Sequence, residues 1–155
     1  MAKALGVILL GLLVAACSTP EDPRQAARVQ ELIGQLRKGD DRARFEAADE
    51  IMRIGPAAKA AVPALIENIG DGHTHQDVNV SAINALLRIG PRAAMPPLVQ
   101  ALKSDDPERV SGALVALAGF GQAAKSAIPD IQKLLDNPKT RANAASTLKM
   151  IRDFP

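Results

Sequence analysis

Apolar residues recur at helical spacing in three segments of the chain, and each segment ends in a glycine. The first runs from Phe45 to Gly55, the second from Val80 to Gly90 and the third from Ser111 to Gly121. Each has small or aliphatic residues eight, seven and four positions before its glycine, and Ile or Phe directly before it. These spacings form one face of an α-helix, and a final glycine suits the C′ position, where φ is positive. The pattern therefore predicts three helices that each stop at a glycine.

A second type of helix is predicted between these segments. Val62–Ile69, Met95–Leu102 and Ile128–Leu135 are apolar stretches with Pro near their starts. In the first turn of a helix Pro costs little, because no intrahelical donor is lost there. An earlier helix of the same type is predicted from an apolar stripe at helical spacing. That stripe consists of Val29, Leu32, Ile33 and Leu36.

The two helix types alternate as an internal repeat. The glycine markers stand 35 and then 31 residues apart, and a fourth copy, with Arg152 in place of glycine, follows after another 31. Asp106-Pro107 and Asn137-Pro138 are typical of an N-cap followed by a proline at the first helical position. The chain is therefore predicted to be all-α, with eight helices in four hairpins over roughly residues 24–153.

The runs Arg53–Leu65 and Arg88–Pro91 resemble HEAT repeats, and they are closest to the short class first noted in phycobilin lyases. This resemblance implies a right-handed α-solenoid of about four hairpins, with the second helix of each hairpin on the concave side. Stacked hairpins bury a continuous core that one repeat cannot form alone. Such a scaffold carries many different functions, so the resemblance predicts the fold and not an activity.

The N-terminal segment has the pattern of a targeting signal. Lys3 precedes Ala4–Ala16, an uncharged apolar run of thirteen residues. At about 1.5 Å per residue this run is too short for a bilayer core of about 30 Å, and it has the length of a signal-peptide h-region. The sequence Leu13-Val14-Ala15-Ala16-Cys17 at its end resembles the lipobox of bacterial lipoproteins. The resemblance implies cleavage before Cys17 and its acylation, whereas the alternative is an ordinary secretory signal.

Three regions follow from this interpretation. Residues 1–16 are expected to be a lipoprotein signal peptide, residues 17–23 the lipidated Cys17 with a short tether, and residues 24–155 the HEAT-repeat domain. Two or more acyl chains anchor a protein stably in a membrane. Ser18 follows Cys17, and the lack of Asp there resembles enteric lipoproteins of the outer membrane. We therefore expect an envelope protein on the outer membrane that faces the periplasm, with the inner membrane and surface display left open.

The amino-acid composition limits the kinds of binding site that the chain can form. The chain has no Trp or Tyr, three Phe, one Cys and two His. A single Cys excludes an internal disulfide framework and a Cys-rich zinc site. The lack of Tyr and Trp disfavours platforms that stack bases, and 19 Lys and Arg against 17 Asp and Glu leave no strong nucleic-acid footprint. We expect a protein partner and a membrane anchor, without nucleic acid or a cofactor.

Catalysis is disfavoured by the distribution of histidines. The related deoxyhypusine hydroxylases bind two irons through His-Glu dyads, but Thr74 follows His73 and Gln76 follows His75. No Gly-x-Ser-x-Gly nucleophile motif is present. We therefore expect no enzymatic activity. Two alternatives remain open, a metal-binding accessory protein that holds Zn or Ni through His73 and His75, and a degenerate relative of HEAT-repeat lyases. The alternative for His73 and His75 is that they belong to a solvated loop between helices, and a His-x-His pair in a Gly-rich loop is a weak signal for a metal site.

One ridge of the glycine-ended helices is predicted to be exposed. It comprises positions two, six, nine and thirteen before each glycine, and it changes from charged in the first repeat to small and apolar in the third. We predict that a partner protein binds where the ridge is least charged. The alternative is that the glycines of this ridge relieve crowding between repeats. The predicted patch consists of Arg88, Gly112, Val115, Gly119 and Met150.

Overall fold

The computed structural model describes residues 22–70 and 76–153, and within these ranges every regular element is helical. The α-helices of these ranges are α1 (Pro23–Lys38), α2 (Asp41–Ile54), α3 (Val62–Glu67), α4 (Gln76–Ile89), α5 (Pro91–Ala101), α6 (Pro107–Gly119), α7 (Ile128–Lys133) and α8 (Arg141–Asp153). The prediction of an all-α chain with eight helices is confirmed.

Successive helices pack in pairs, and the pairs stack into two layers. In one layer α2 packs on α4, α4 on α6 and α6 on α8. In the other layer α1 packs on α3, and α3 packs on α5. A 3-10 helical segment that leads into α7 continues this second layer from α5. Each hairpin therefore contacts mainly its neighbours in sequence, as in a solenoid of stacked helical repeats.

The marker glycines end their helices as predicted, since Gly55, Gly90 and Gly121 have φ of 68°, 101° and 53°. A 3-10 helical segment of seven residues begins at Gly55, and another begins at Gly121. Each segment leads into a short helix that has Pro in its first turn. Between Gly90 and α6 there is no such 3-10 segment.

The prediction that a helix starts at Met95 with Pro96 in its first turn is wrong. The helix α5 starts at Pro91, directly after Gly90, so Pro96 and Pro97 lie inside it. Ala58 departs from helical geometry in the equivalent stretch of the preceding repeat, with φ −88° and ψ 20°, and this break delays the start of α3. Without such a break, α5 continues through its two prolines.

Of the two predicted N-cap residues, one caps its helix and the other does not. The carboxylate of Asp106 accepts a hydrogen bond from the Glu108 amide at 3.0 Å and caps α6 as expected. Asn137 accepts one from the Lys139 amide at 3.0 Å, but it stabilises a turn, because α8 begins only at Arg141. The prediction of Asn137 as the N-cap of the last helix is therefore wrong.

A continuous core runs between the two layers. Leu and Ile side chains from all four hairpins are fully buried in it, and alanines fill the closest approaches. The buried Asn68 joins the first two hairpins, because its amide donates to the Ala64 carbonyl at 2.8 Å and to the Leu36 carbonyl at 3.1 Å. The largest buried side chains include Leu32, Ile51, Leu65, Leu86, Leu98, Leu114, Ile131 and Ile151.

Candidate protein-binding groove

A groove with a volume of about 410 Å³ runs along the layer formed by the second helices of the hairpins. Its walls are α4 and α8, and α6 lies between them. On α4 and α8 the lining residues follow the spacing of three and four that defines one helix face. The lining consists of Val80, Ile83, Asn84 and Leu87 on α4, Leu114, Val115, Ala118 and Gly119 on α6, and Asn143, Ser146, Thr147 and Met150 on α8.

The groove is uncharged and rich in exposed apolar side chains. No residue of its described lining is Asp, Glu, Lys, Arg or His. Val80, Val115 and Met150 are 50%, 55% and 53% exposed. Among the described residues, the one other exposed large apolar side chain is Phe45 on α2, at 41%. Apolar side chains that are clustered and exposed mark sites of interaction.

Two hydrogen bonds join α8 to α6 at the groove. The hydroxyl of Thr147 donates to the carbonyl of Leu114 at 3.4 Å, and the amide nitrogen of Asn143 donates to the hydroxyl of Ser111 at 2.8 Å. On the opposite wall, the carboxamide of Asn84 has no hydrogen-bond partner within the described ranges. The groove therefore has an apolar surface with a few neutral polar groups on its walls.

The structure brings together three of the five residues of the predicted patch. Val115, Gly119 and Met150 line the groove, each from an exposed position. Arg88 lies one turn beyond the lining residue Asn84, at the end of α4, but it does not line the groove.

Gly112 does not share this surface, because it is buried under the chain that follows α3. A Cβ atom on Gly112 would lie 3.1 Å from the backbone nitrogen of Gly70 and 3.1 Å from the Cβ of Ile69. Its lack of a side chain therefore allows neighbouring hairpins to approach each other. The alternative role, relief of crowding between repeats, fits the surroundings of Gly112. It also fits Gly119, which is exposed in the groove but where a Cβ atom would lie 3.0 Å from the Leu87 side chain of the neighbouring hairpin.

Of the wall that α4 contributes, only Asn84 belongs to the ridge predicted from the sequence. Val80 and Leu87 lie ten and three positions before Gly90, outside the ridge positions that were considered, and Ile83 was assigned to the packed stripe. The structure leaves Ile83 and Leu87 partly exposed. The only sequence signal was the presence of apolar residues on two adjacent faces of this helix.

The charged part of the ridge, on α2, is paired within the helix. Arg42 contacts Glu46 at 2.9 Å, and Arg53 contacts Asp49 at 2.9 Å. The hydrogen bond with Glu46 raises the pKa of Arg42. The predicted change from charged to apolar along the layer is therefore present, and these charges of α2 neutralise one another beside an uncharged groove.

Three residues singled out in the sequence, Cys17, His73 and His75, lie outside the described residues. Within the described ranges, no three Asp, Glu, His or Cys side chains lie close enough together to hold a metal ion. No helix in these ranges combines the length and the hydropathy of a membrane span.

Comparison with known families supports the repeat architecture. A family model described as HEAT repeats matches residues 29–118 and, in a second alignment, residues 71–149. Together the two alignments span all four hairpins. No curated protein matches the chain at a significant level.

Proposed function

The chain belongs to the HEAT-repeat family, and we propose on that basis that it is a non-catalytic scaffold that binds another protein through the groove between α4 and α8. The observation that carries this proposal is the cluster of Val80, Val115 and Met150, each at least half exposed around one uncharged groove. Burial of exposed apolar surface is the main favourable term in protein association. The groove therefore offers a surface that a partner can stabilise.

The form of the groove favours a macromolecule over a small ligand. Its volume of about 410 Å³ falls within the range of small-molecule pockets. Such pockets, however, enclose most of the ligand surface and are often lined by aromatic residues. Here Val80, Val115 and Met150 are about half exposed, and the described lining has no aromatic side chain. A larger partner can cover the groove and its exposed edges together.

The non-catalytic part of the proposal rests on the chemistry of the lining. General acid–base catalysis needs a titratable side chain within hydrogen-bond reach of the substrate, and a hydroxyl nucleophile needs an adjacent base. Ser146 and Thr147 are the hydroxyl residues of the described lining, and none of its other members is a base. Thr147 already donates its hydroxyl to the Leu114 carbonyl.

The proposal also places the scaffold on a bacterial envelope membrane, on the outer membrane and facing the periplasm, through acylated Cys17. Its support is the apolar run Ala4–Ala16 followed by Cys17. We expect cells that express the full chain to incorporate an alkyne-tagged palmitate analogue into it, and the Cys17→Ser variant to lose the label. Equal labelling of both proteins would rule out the anchor. Separation of inner and outer membranes on a density gradient then tests the location.

Photo-crosslinking tests the binding surface. A photoreactive amino acid at position 115 lies in the groove, whereas the same amino acid at Lys133, whose side chain is 74% exposed on α7, lies outside the groove lining. The proposal predicts a protein adduct from position 115 in cells and none of the same mass from position 133. Identical patterns from the two positions would contradict it.

A further inference from the structure

The groove also indicates the kind of partner segment that it fits. We propose that the bound segment is an amphipathic α-helix that lays an uncharged, mainly apolar face along α6, between α4 and α8. This inference rests on the proposed function, because it names the partner of the same groove. It adds a secondary structure and a residue pattern to a partner that is otherwise defined only as a protein.

Other common modes of peptide recognition need features that the described surface lacks. An extended peptide that adds to a sheet needs an exposed strand, and the described ranges contain only helices. Pro-rich segments need an aromatic-lined groove, and phosphorylated motifs need a cluster of Arg. The described lining has neither an aromatic nor an Arg side chain. Recognition of a helix in a groove remains, because this mode needs an apolar groove between helices and the described lining provides one.

The dimensions of the groove suit about two helical turns. From Val80 to Leu87 the wall of α4 is about 10 Å long, at about 1.5 Å per residue. A helix presents apolar residues over this length at positions i, i+3, i+4 and i+7. Ala118 and Gly119 are the small residues on α6 at one end of the groove. Small side chains let the axes of two packed helices approach to the short end of the usual range of about 8–10 Å.

Electrostatics favours an uncharged contact face. On α2, Arg42 is paired with Glu46 and Arg53 with Asp49. Arg88 lies one turn beyond Asn84 on α4 but outside the groove lining. A charged residue of the partner that enters the groove would therefore lose its hydration without gaining an opposite charge from the lining, which is unfavourable. The polar residues of the partner are expected on the face that stays in solvent.

The neutral amides on the walls favour a peptide over a lipid chain. Asn84 on α4 and Asn143 on α8 belong to opposite walls of the groove lining. Asn143 already donates to the Ser111 hydroxyl, but an acyl chain would cover the Asn84 carboxamide without offering it a hydrogen bond, and a buried polar group without a partner is costly. A helix can place Ser, Asn or Gln at one position of its apolar face and satisfy this carboxamide.

Display of random peptides tests the inference while the partner is still unidentified. The full chain in lipid nanodiscs serves as bait, and peptides that also bind the Val115→Asp variant are removed. Phe45→Asp is the matched control, because it also replaces an exposed apolar side chain by Asp, but on α2 and outside the groove lining. We expect the enriched peptides to carry apolar residues at i, i+3, i+4 and i+7. They should bind Val115→Asp at least about tenfold more weakly and Phe45→Asp equally well.

Three results would overturn the inference. Enriched peptides with apolar residues at every second position, or with Pro-rich sequences, would show that the groove binds peptides in another conformation, and the proposed scaffold function would stand. Failure of any peptide to discriminate between the bait and Val115→Asp would exclude a peptide helix. Binding of a fluorescent fatty acid that Val115→Asp abolishes, without peptide enrichment, would assign the groove to a lipid chain and contradict the scaffold function as well.

Discussion

Gly119 on α6 lies so close to Leu87 on α4 that a Cβ atom at position 119 would be 3.0 Å from both terminal carbons of Leu87. Both residues line the groove. The absence of a side chain at position 119 therefore sets the position of the Leu87 side chain on the wall. Gly119 is the last residue of α6, so the cost of about 0.5–1 kcal/mol that a glycine has in the middle of a helix applies to it only in part.

We predict that Gly119→Ala separates binding from stability. The added methyl group should displace the end of Leu87 into the groove and reduce crosslinking from position 115 several-fold. The free energy of unfolding should change little, because the Leu87 side chain can move and position 119 is the last of α6. Thermal denaturation and the crosslinked fraction measure the two effects. Unchanged crosslinking at unchanged stability would mean that Gly119 has no part in the groove.

Gly112→Ala is expected to do the opposite, lowering stability while leaving binding unchanged. Its methyl group would meet the backbone of Ile69 and Gly70, which cannot move aside as a side-chain end can. The Tm should fall by a few degrees, and crosslinking per folded molecule should stay the same. Loss of binding at unchanged Tm would show that Gly112 belongs to the surface that binds the partner.

Gly70 is predicted to be essential for the junction between the second and third hairpins. It has φ of 69°, and a Cβ there would overlap the backbone of Glu108 and Arg109. The left-handed conformation alone costs an alanine about 1–2 kcal/mol, and the overlap adds to this. We expect Gly70→Ala to lower the Tm by at least about 5 °C.

Gly34→Ala is the matched control, because no atom lies within 4 Å of the added Cβ on α1. This variant should gain about 0.5–1 kcal/mol of stability from helix propensity. If both variants lower the Tm equally, the close contact between Gly70 and the start of α6 is not present in the folded protein.

The ion pair between Arg28 and Glu50 should make a small pH-dependent contribution to stability. Both carboxylate oxygens of Glu50 accept hydrogen bonds from the Arg28 guanidinium, at 2.7 and 2.8 Å, and this interaction lowers the pKa of Glu50 below its ordinary value of 4.5. A lowered pKa stabilises the folded state above pH 4.5, and the contribution is lost as the pH falls through the pKa of the folded protein.

Glu50→Gln should therefore have a slightly lower Tm than the unmodified chain at pH 7. The difference should shrink as the pH falls below 4.5, and it should also shrink at about 1 M salt, where charges on the surface are screened. A difference that is independent of pH and salt would show that the substitution acts through packing and not through the ion pair.

The sequence contained enough information for the helices and their order, because that information is local. Apolar spacing located all four hairpins, and the glycines that end α2 and α4 were identifiable from the residues before them. The start of α5 could not be predicted from neighbouring residues in this way. A proline fits the first turn of a helix, but Pro96 and Pro97 are accommodated inside one, and only the absence of a break such as that at Ala58 distinguishes the two cases.

The groove was only partly predictable, because it depends on how neighbouring hairpins stack. A helical wheel placed Val115 and Met150 on one exposed ridge, and both line the groove. It could not show that Gly112 is buried, because the covering residues come from the chain after α3, roughly forty positions earlier. Nor could it show that Leu87 reaches the groove, since that depends on the close approach of α4 to Gly119.

Quantitative co-purification tests the claim that a protein partner binds the uncharged groove of α4, α6 and α8. The full chain, Val115→Asp and Phe45→Asp are isolated from membranes under the same conditions, after equal folding has been verified by circular dichroism. Co-purified proteins are then compared by mass spectrometry. We predict at least one protein that is recovered equally with the full chain and Phe45→Asp and is reduced at least about tenfold with Val115→Asp. Equal recovery of all co-purified proteins with the three chains would contradict the claim.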